Sequence, residues 1–184
     1  MDAVSEGRLA QVNPTLAQKI RQVADQMASS GVQLRIVQGL RTKAEQDALY
    51  AQGRTTPGKV VTNAKGGQSM HNYGLAVDMV PGIRGASPWQ PNWNDKDPDY
   101  QKMIDLCEQQ GLVAGARWVH IPDVDHFQLG GIPVTPTPAM LACLVAGGCT
   151  AVWQQFITQP PASDAPVTAT AQTTNPADKT SSSS

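Results

Sequence analysis

The sequence lacks the features of several protein classes. Fourteen Lys and Arg residues against fifteen Asp and Glu residues give a net charge of −1, which offers no basic surface for a nucleic-acid partner. No run reaches the roughly 18 consecutive apolar residues of a membrane helix, so we expect no stable membrane insertion. The three cysteines (Cys107, Cys143 and Cys149) form no C-x-x-C pair, which argues against a thiolate zinc site. The 184 residues fit one domain with appendages, which we expect to be a monomer.

Hydrophobic periodicity predicts alternating helices and strands. Asn13 is a suitable N-cap followed by Pro14, and Thr42 with Glu45 has the spacing of a capping box. The patterns predict helices over 13–29, from 42 to before 53 and over 99–110, strands over 32–37, 74–80 and 124–129, and a small helix within 135–156 that breaks at Gly147 and Gly148.

Three stretches lack such periodicity. Residues 53–67, rich in Gly, Thr, Lys and Pro, predict a surface loop, and residues 81–98 predict a long irregular insertion that could form one wall of a cleft. From residue 158 onward Pro, Ala, Thr and Ser prevail, and large apolar residues almost vanish. Such a segment cannot bury enough surface to offset the entropy of ordering. We therefore expect one domain over 1–157 and a disordered tail over 158–184.

The segment SMHNYGLAVD, residues 69–78, contains a His and an Asp separated by a Gly and an apolar stretch. His71 and Asp78 can face one point if a turn intervenes, and zinc accepts such mixed nitrogen and oxygen ligands. Asp78 interrupts an apolar strand, where a carboxylate would be costly to bury unless it met a cation or strong donors. Taken alone, the pair is better explained by a His in a loop and an Asp at the end of a strand.

A second segment, PDVDHFQ, places another His in a strand with two carboxylates before it. Strand alternation turns Asp125 away, whereas Asp123 can reach forward from the preceding turn. A catalytic zinc site needs three protein ligands, an open position and a nearby base. His71, Asp78 and His126 can supply the ligands. Asp123 can act as the base, taking a proton from water and returning it to the leaving amine.

Arg41 follows a predicted strand and opens a predicted helix. From this position its guanidinium could face the same cleft and hold a developing oxyanion or a substrate carboxylate through paired donors. Taken alone, the residue is better explained as a surface Arg in a salt bridge.

Taken together, these segments resemble the D-Ala-D-Ala metallopeptidase family. The motifs are S-x-H-x-x-G-x-A-x-D at residues 69–78 and D-x-x-H-F at residues 123–127, and the run RTKAEQDALYAQGRT at residues 41–55 adds likeness to the endolysin branch. The family includes D-Ala-D-Ala carboxypeptidases and dipeptidases as well as phage L-alanyl-D-glutamate endolysins. The likeness spans residues 16–130 and implies an α+β fold, with a small antiparallel sheet packed on helices as in the hedgehog-like zinc proteins.

The resemblance also implies roles for individual residues. It assigns a zinc ion to His71, Asp78 and His126, and it makes Asp123 the general base. By the same comparison, Arg41 polarises the scissile carbonyl.

Two further residues are implied to contact the substrate. Ser69 would lie near the metal, and Trp118 falls where relatives often place a Trp beside the cleft. The chain departs from many relatives in reading AGAR before this Trp, and some relatives use Glu rather than Asp as the base. Both departures leave the peptide preference open.

The resemblance leaves three functions to compare. The first is hydrolysis of the L-Ala-D-Glu bond of peptidoglycan stem peptides, the second is a D-Ala-D-Ala carboxypeptidase or dipeptidase, and the third is a zinc-bearing binding module that no longer cuts. Asp123 and Arg41 argue against the third, because a binding module needs neither. The N-terminus shows no secretory signal, which favours an endolysin held in the cytoplasm until it is released to the cell wall. We therefore expect the first function.

Overall fold

The computed structural model describes residues 1–119 and 122–157. Five α-helices lie in this part of the chain: α1 Ala3–Leu9, α2 Pro14–Ser29, α3 Lys43–Ala51, α4 Pro98–Gln109 and α5 Pro138–Phe156. The strands described there are β1 Leu34–Gln38, β2 Ala76–Pro81, β3 Leu112–Ala114 and β4 His126–Leu129. Short 3-10 turns cover Met70–Tyr73 and Gly115–Arg117.

The four strands form one antiparallel sheet in the order β1-β2-β4-β3. Asp78 of β2 lies opposite His126 of β4, and Ala76 lies opposite Gln128. Opposed residues share a face and faces alternate along a strand, so Asp78, His126 and Gln128 all lie on one face. The intervening residues, such as Phe127, point to the other face. The predicted α+β fold with a small antiparallel sheet packed on helices is confirmed.

The hydrophobic core lies between helices α2 and α4 and the face of the sheet that carries Val77 and Phe127. The helices contribute apolar residues three or four positions apart, as the buried stripe of an amphipathic helix requires. These core residues are Leu16, Ile20, Val23 and Met27 on α2 and Met103 and Cys107 on α4. The opposite face of the sheet is thereby left for polar side chains.

Side-chain caps begin the helices that the sequence predicted best. Asn13 Oδ1 accepts from the backbone N–H of Thr15 at 3.0 Å, and α2 follows directly. The predicted capping box forms at α3, where Thr42 Oγ1 accepts from Glu45 N at 3.2 Å and Glu45 Oε2 accepts from Thr42 N at 2.8 Å. Each cap satisfies backbone donors that a helix start leaves free, which explains why these boundaries could be read from sequence.

Several predicted boundaries are wrong by one or two residues, and two elements were not predicted. Strand β4 begins at His126 rather than residue 124, because Val124 and Asp125 form the turn that enters it. Helix α1 and strand β3 are short, so neither gives a clear periodic signal. Helix α1 covers the outer edge of β1, where Ile36 N donates to Ser5 Oγ at 3.0 Å.

Helix α5 differs from the small helix that was predicted. It extends over 19 residues, and the expected break occurs at Gly148, whose φ of 71° and ψ of −171° are not helical. Among the described residues it is the one helix whose length and mean hydropathy of 1.3 would allow it to cross a membrane, although Met140 and Val152 are buried against the core. The absence of membrane insertion therefore stays a prediction. The predicted disordered tail, residues 158–184, lies outside the described residues.

Candidate active site

A 3-10 turn places His71 beside the sheet. Ser69 caps this turn, its Oγ accepting from His71 N at 3.4 Å. Gly74 closes the turn in the left-handed region, with φ of 62°, and a Cβ there would lie 2.9 Å from the Trp153 ring. Glycine is required at position 74 on both grounds, conformational and steric. The turn runs directly into β2, so His71 reaches the same point as the polar face of the sheet.

The side chains of His71, Asp78 and His126 converge. His71 Nε2 lies 3.1 Å from Asp78 Oδ1, His126 Nδ1 lies 3.2 Å from the same oxygen, and the two nitrogens are 3.2 Å apart. Both imidazoles are buried, while the Asp78 side chain is 20% exposed. The cluster is therefore mostly buried and reaches solvent at Asp78.

The chemistry of these three atoms fits a metal ion. His71 Nδ1 lies 2.8 Å from the Gly39 carbonyl oxygen, which can only accept, so Nδ1 carries the proton and Nε2 offers a lone pair. His126 Nε2 similarly faces Gln128 Oε1 at 3.1 Å, which leaves its Nδ1 as an acceptor. Two nitrogen lone pairs and a carboxylate oxygen can thus point at one another, an arrangement that a cation bound between them would stabilise.

The spacing fits as well. Tetrahedral zinc with bonds of about 2.0–2.1 Å separates its ligand atoms by about 3.3 Å. The observed separations of 3.1–3.2 Å are close to this value. His71, Asp78 and His126 could therefore hold a zinc ion and leave its fourth position open.

The charges of the cluster depend on one another. Burial alone would raise the pKa of Asp78, but the adjacent imidazoles of His126 and His71 hold it well below its usual range. Burial would lower the pKa of His126, but the hydrogen bond and charge of Asp78 raise it above its ordinary value. A proton and a metal ion therefore compete for the same nitrogen lone pair. Metal binding is expected to weaken as the pH falls.

Asp123 lies at the rim of this cluster. Its backbone N–H donates to the Gly115 carbonyl oxygen at 3.0 Å, and its side chain is exposed. Partial desolvation, and then the negative charge of Asp78, raise the pKa of Asp123 above its ordinary value, while His126 acts in the opposite direction. A carboxylate with a raised pKa is a stronger base, which suits a group that takes a proton from water.

Asp125 is engaged elsewhere. Its Oδ1 accepts from the Tyr100 hydroxyl of α4 at 2.9 Å, and its carbonyl oxygen accepts from Met79 N. Burial raises the pKa of Asp125 to about 6, although the Tyr100 hydrogen bond acts in the opposite direction. These contacts pin the turn that carries Asp123 to both β2 and α4. Tyr100 carried no signal in the sequence, because it lies far from this turn along the chain.

Arg41 is part of the cluster rather than a surface residue. Its side chain is 14% exposed, and Nη2 lies 3.6 Å from Asp78 Oδ2. Nη1 donates to Gln46 Oε1 at 2.8 Å, and the buried Gln46 is itself held by a hydrogen bond from Nε2 to the Ala64 carbonyl oxygen. The backbone N–H of Arg41 donates to the His71 carbonyl oxygen at 3.0 Å. The guanidinium is therefore fixed in place beside Asp78.

The two residues proposed to contact substrate are also near the cluster. The Trp118 ring lies 4.9 Å from the His126 ring, centroid to centroid, and its Nε1 is buried without a hydrogen-bond partner among the described residues. Trp118 thus forms a wall against one candidate ligand. Ser69 lies two residues from His71, where its hydroxyl caps the turn and is partly exposed.

The chain is similar to several known proteins. A family model described as D-alanyl-D-alanine carboxypeptidase matches residues 62–129. The peptidoglycan L-alanyl-D-glutamate endopeptidase CwlK of Bacillus subtilis is 32% identical over 123 residues, which cover 64% of this chain and 73% of CwlK. The crystal structure of the Serratia marcescens L-Ala D-Glu endopeptidase ChiX matches with a TM-score of 0.50 and 26% identity, over 70% of this chain and 88% of ChiX. The chain belongs to the D-Ala-D-Ala metallopeptidase family.

Proposed function

We propose that this chain is a zinc-dependent peptidase that hydrolyses the L-Ala-D-Glu bond of peptidoglycan stem peptides. The observation that carries the proposal is the convergence of three metal-ligating atoms within 3.2 Å of one another, with Asp123 and Arg41 beside them. The choice of bond rests on CwlK and ChiX, both of which are named as L-Ala-D-Glu endopeptidases.

Each residue around the cluster has a separate role in the proposed hydrolysis. A zinc ion bound there would act as a Lewis acid on the scissile carbonyl and would lower the pKa of water. Asp123 takes the proton of the attacking water and returns it to the leaving amine. Arg41, fixed by Gln46, directs its donors at the carbonyl oxygen as negative charge develops. Trp118 limits the space beside His126 and so orients the peptide.

Digestion of purified peptidoglycan by the zinc-loaded protein tests the proposal, with mass spectrometry of the released fragments. Glycan strands that keep only L-Ala, together with free peptides that begin at D-Glu, are the expected products. A digest that leaves the L-Ala-D-Glu bond intact would contradict the proposed specificity.

A D-Ala-D-Ala carboxypeptidase or dipeptidase is the second candidate function, because the matching family model is described by that activity. The same digest separates the two, since this activity would release only terminal D-Ala and leave the rest of the stem peptide attached. A protein that binds zinc and cuts neither bond would instead indicate a binding module.

Gly115 is expected to set the position of Asp123. A Cβ at residue 115 would lie 2.6 Å from the Asp123 carbonyl oxygen and 3.0 Å from His126 Cβ, so Gly115→Ala must displace the turn between them. A misplacement of about 1 Å can cost about 10²-fold in rate, and we expect a loss of kcat of that order. Gly7→Ala is the matched control, because a Cβ there meets nothing within 4 Å. A kcat equal to that of the wild type in Gly115→Ala would show that the close packing of Gly115 against Asp123 does not affect catalysis.

A further inference from the structure

We infer that Gln128 positions His126 for metal binding, by holding the imidazole proton on Nε2. The inference rests on the proposed function, because it concerns how His126 is held in the tautomer that can bind zinc. Gln128 lies two residues after His126 on β4, so both side chains project from the same face of the sheet. Gln128 is 2% exposed, and water therefore does not compete for its amide.

The orientation of the Gln128 amide follows from its second contact. Gln128 Nε2 lies 2.9 Å from the Val134 carbonyl oxygen, which can only accept a hydrogen bond. The NH2 group must therefore face Val134, and Oε1 must face His126. The reverse orientation would oppose two oxygens at Val134, which excludes it on electrostatic grounds.

The amide orientation in turn decides which nitrogen of His126 carries the proton. Gln128 Oε1 lies 3.1 Å from His126 Nε2, and an amide oxygen can only accept. Nε2 must therefore be protonated. Nδ1 is left with its lone pair directed at Asp78 and His71.

This preference matters because Asp78 favours the other tautomer. Asp78 Oδ1 lies 3.2 Å from His126 Nδ1, and a proton on Nδ1 would make a strong hydrogen bond to that carboxylate. Such a proton would occupy the position that a metal ion needs. Gln128 opposes this tautomer, because its Oε1 accepts a hydrogen bond from His126 only when the proton is on Nε2. His71 has the equivalent partner in the Gly39 carbonyl, a backbone group that substitution cannot remove.

Two substitutions separate this role from a merely structural one. Gln128→Met keeps the length of the side chain but removes the acceptor, and we expect it to bind zinc about 10–100-fold more weakly. Gln128→Glu keeps an acceptor for His126, and its second oxygen, protonated because the site is buried, can donate to the Val134 carbonyl oxygen, so its zinc affinity should stay near that of the wild type. Zinc affinity would be measured by competition with a chromophoric chelator. A loss of affinity in both variants would indicate only structural damage and would overturn the inference.

Gln101→Met serves as the matched control, because it also removes a side-chain amide, one that donates to Asp105 on the exposed face of α4. It should bind zinc like the wild type. In the zinc-loaded wild type, the His126 Nε2 proton should exchange slowly with solvent by nuclear magnetic resonance, and rapid exchange would contradict the inference even if the variants do not fold.

The outcomes also distinguish this inference from the proposed function. A wild-type protein that binds zinc tightly but does not cleave peptidoglycan would overturn the function and leave the role of Gln128 standing. Equal zinc affinity in the wild type and Gln128→Met would overturn the role of Gln128 and leave the function standing. A wild type that binds no zinc would overturn both.

Discussion

Asp123→Ala is expected to retain zinc and to lose about 10²–10⁴-fold in kcat, the usual contribution of a general base. The substitution leaves His71, Asp78 and His126 in place, so the affinity for zinc should change little. The measurement pairs peptide hydrolysis with zinc competition on the same preparation. Normal turnover in this variant would show that Asp123 is not the base.

Asp105→Ala is a suitable control for the removal of a carboxylate. The Asp105 side chain is half exposed and pairs with Arg117 at 3.5 Å, and such surface pairs contribute little to stability. Its kcat should match the wild type. Any fall in activity that both variants share would then reflect handling of the protein rather than the loss of the base.

The pH profile offers a second test of the same residue. Since burial and Asp78 raise the pKa of Asp123, its carboxylate accepts protons at a higher pH than an ordinary Asp does. Wild-type kcat of the zinc-loaded protein should fall as the pH drops through the pKa of Asp123, because the protonated acid cannot act as a base. The residual activity of Asp123→Ala should lack that step. If Asp123→Ala shows the same fall of kcat with pH as the wild type, the fall is caused by a group other than Asp123.

Local signals explain which parts of the fold and site could be predicted. The caps at Asn13 and Thr42 act within three residues of the helix start, so the sequence shows donor and acceptor together. Asp78 was informative because a carboxylate in an apolar strand needs a strong partner nearby. The structure provides those partners in His71 and His126, which lie 7 and 48 positions away.

Contacts between distant segments explain what could not be predicted. Gln46 is an ordinary helix residue in sequence, and only the fold shows that it holds Arg41. Gly115 is one of sixteen glycines, and its need to be Gly arises from a turn at Asp123 that packs on it. Gln128 could have been noticed by alternation from His126, but its amide orientation depends on Val134 in the following loop.

The length of α5 was underestimated for a related reason. Gly147 and Gly148 signal a break, and the sequence alone does not show that a helix resumes beyond it. The second part is held by tertiary contacts, since Trp153 Nε1 donates to the Tyr73 carbonyl oxygen at 2.7 Å. That hydrogen bond joins α5 to the turn that carries His71, so the helix helps to hold this candidate ligand in place.

His126→Ala is expected to lose both zinc and activity. Removing one of three ligands should weaken zinc binding by more than the about 10–100-fold typical of residues that only orient a ligand. The substitution also removes the imidazole that contacts both Asp78 and Gln128 in the wild type. Two buried polar groups then lose a hydrogen-bond partner, so the metal-free protein should be less stable as well. Zinc competition, hydrolysis and thermal unfolding would be measured together.

The comparison of this variant with Asp123→Ala carries the mechanistic conclusion. If the roles are assigned correctly, His126→Ala lacks zinc and turnover, whereas Asp123→Ala lacks turnover alone. Excess zinc should restore part of the activity of His126→Ala, because the weakened site can still be filled by mass action and the base remains. It should restore none to Asp123→Ala. Tight zinc binding by His126→Ala would mean that the metal lies elsewhere, and the convergence of His71, Asp78 and His126 would then need another explanation.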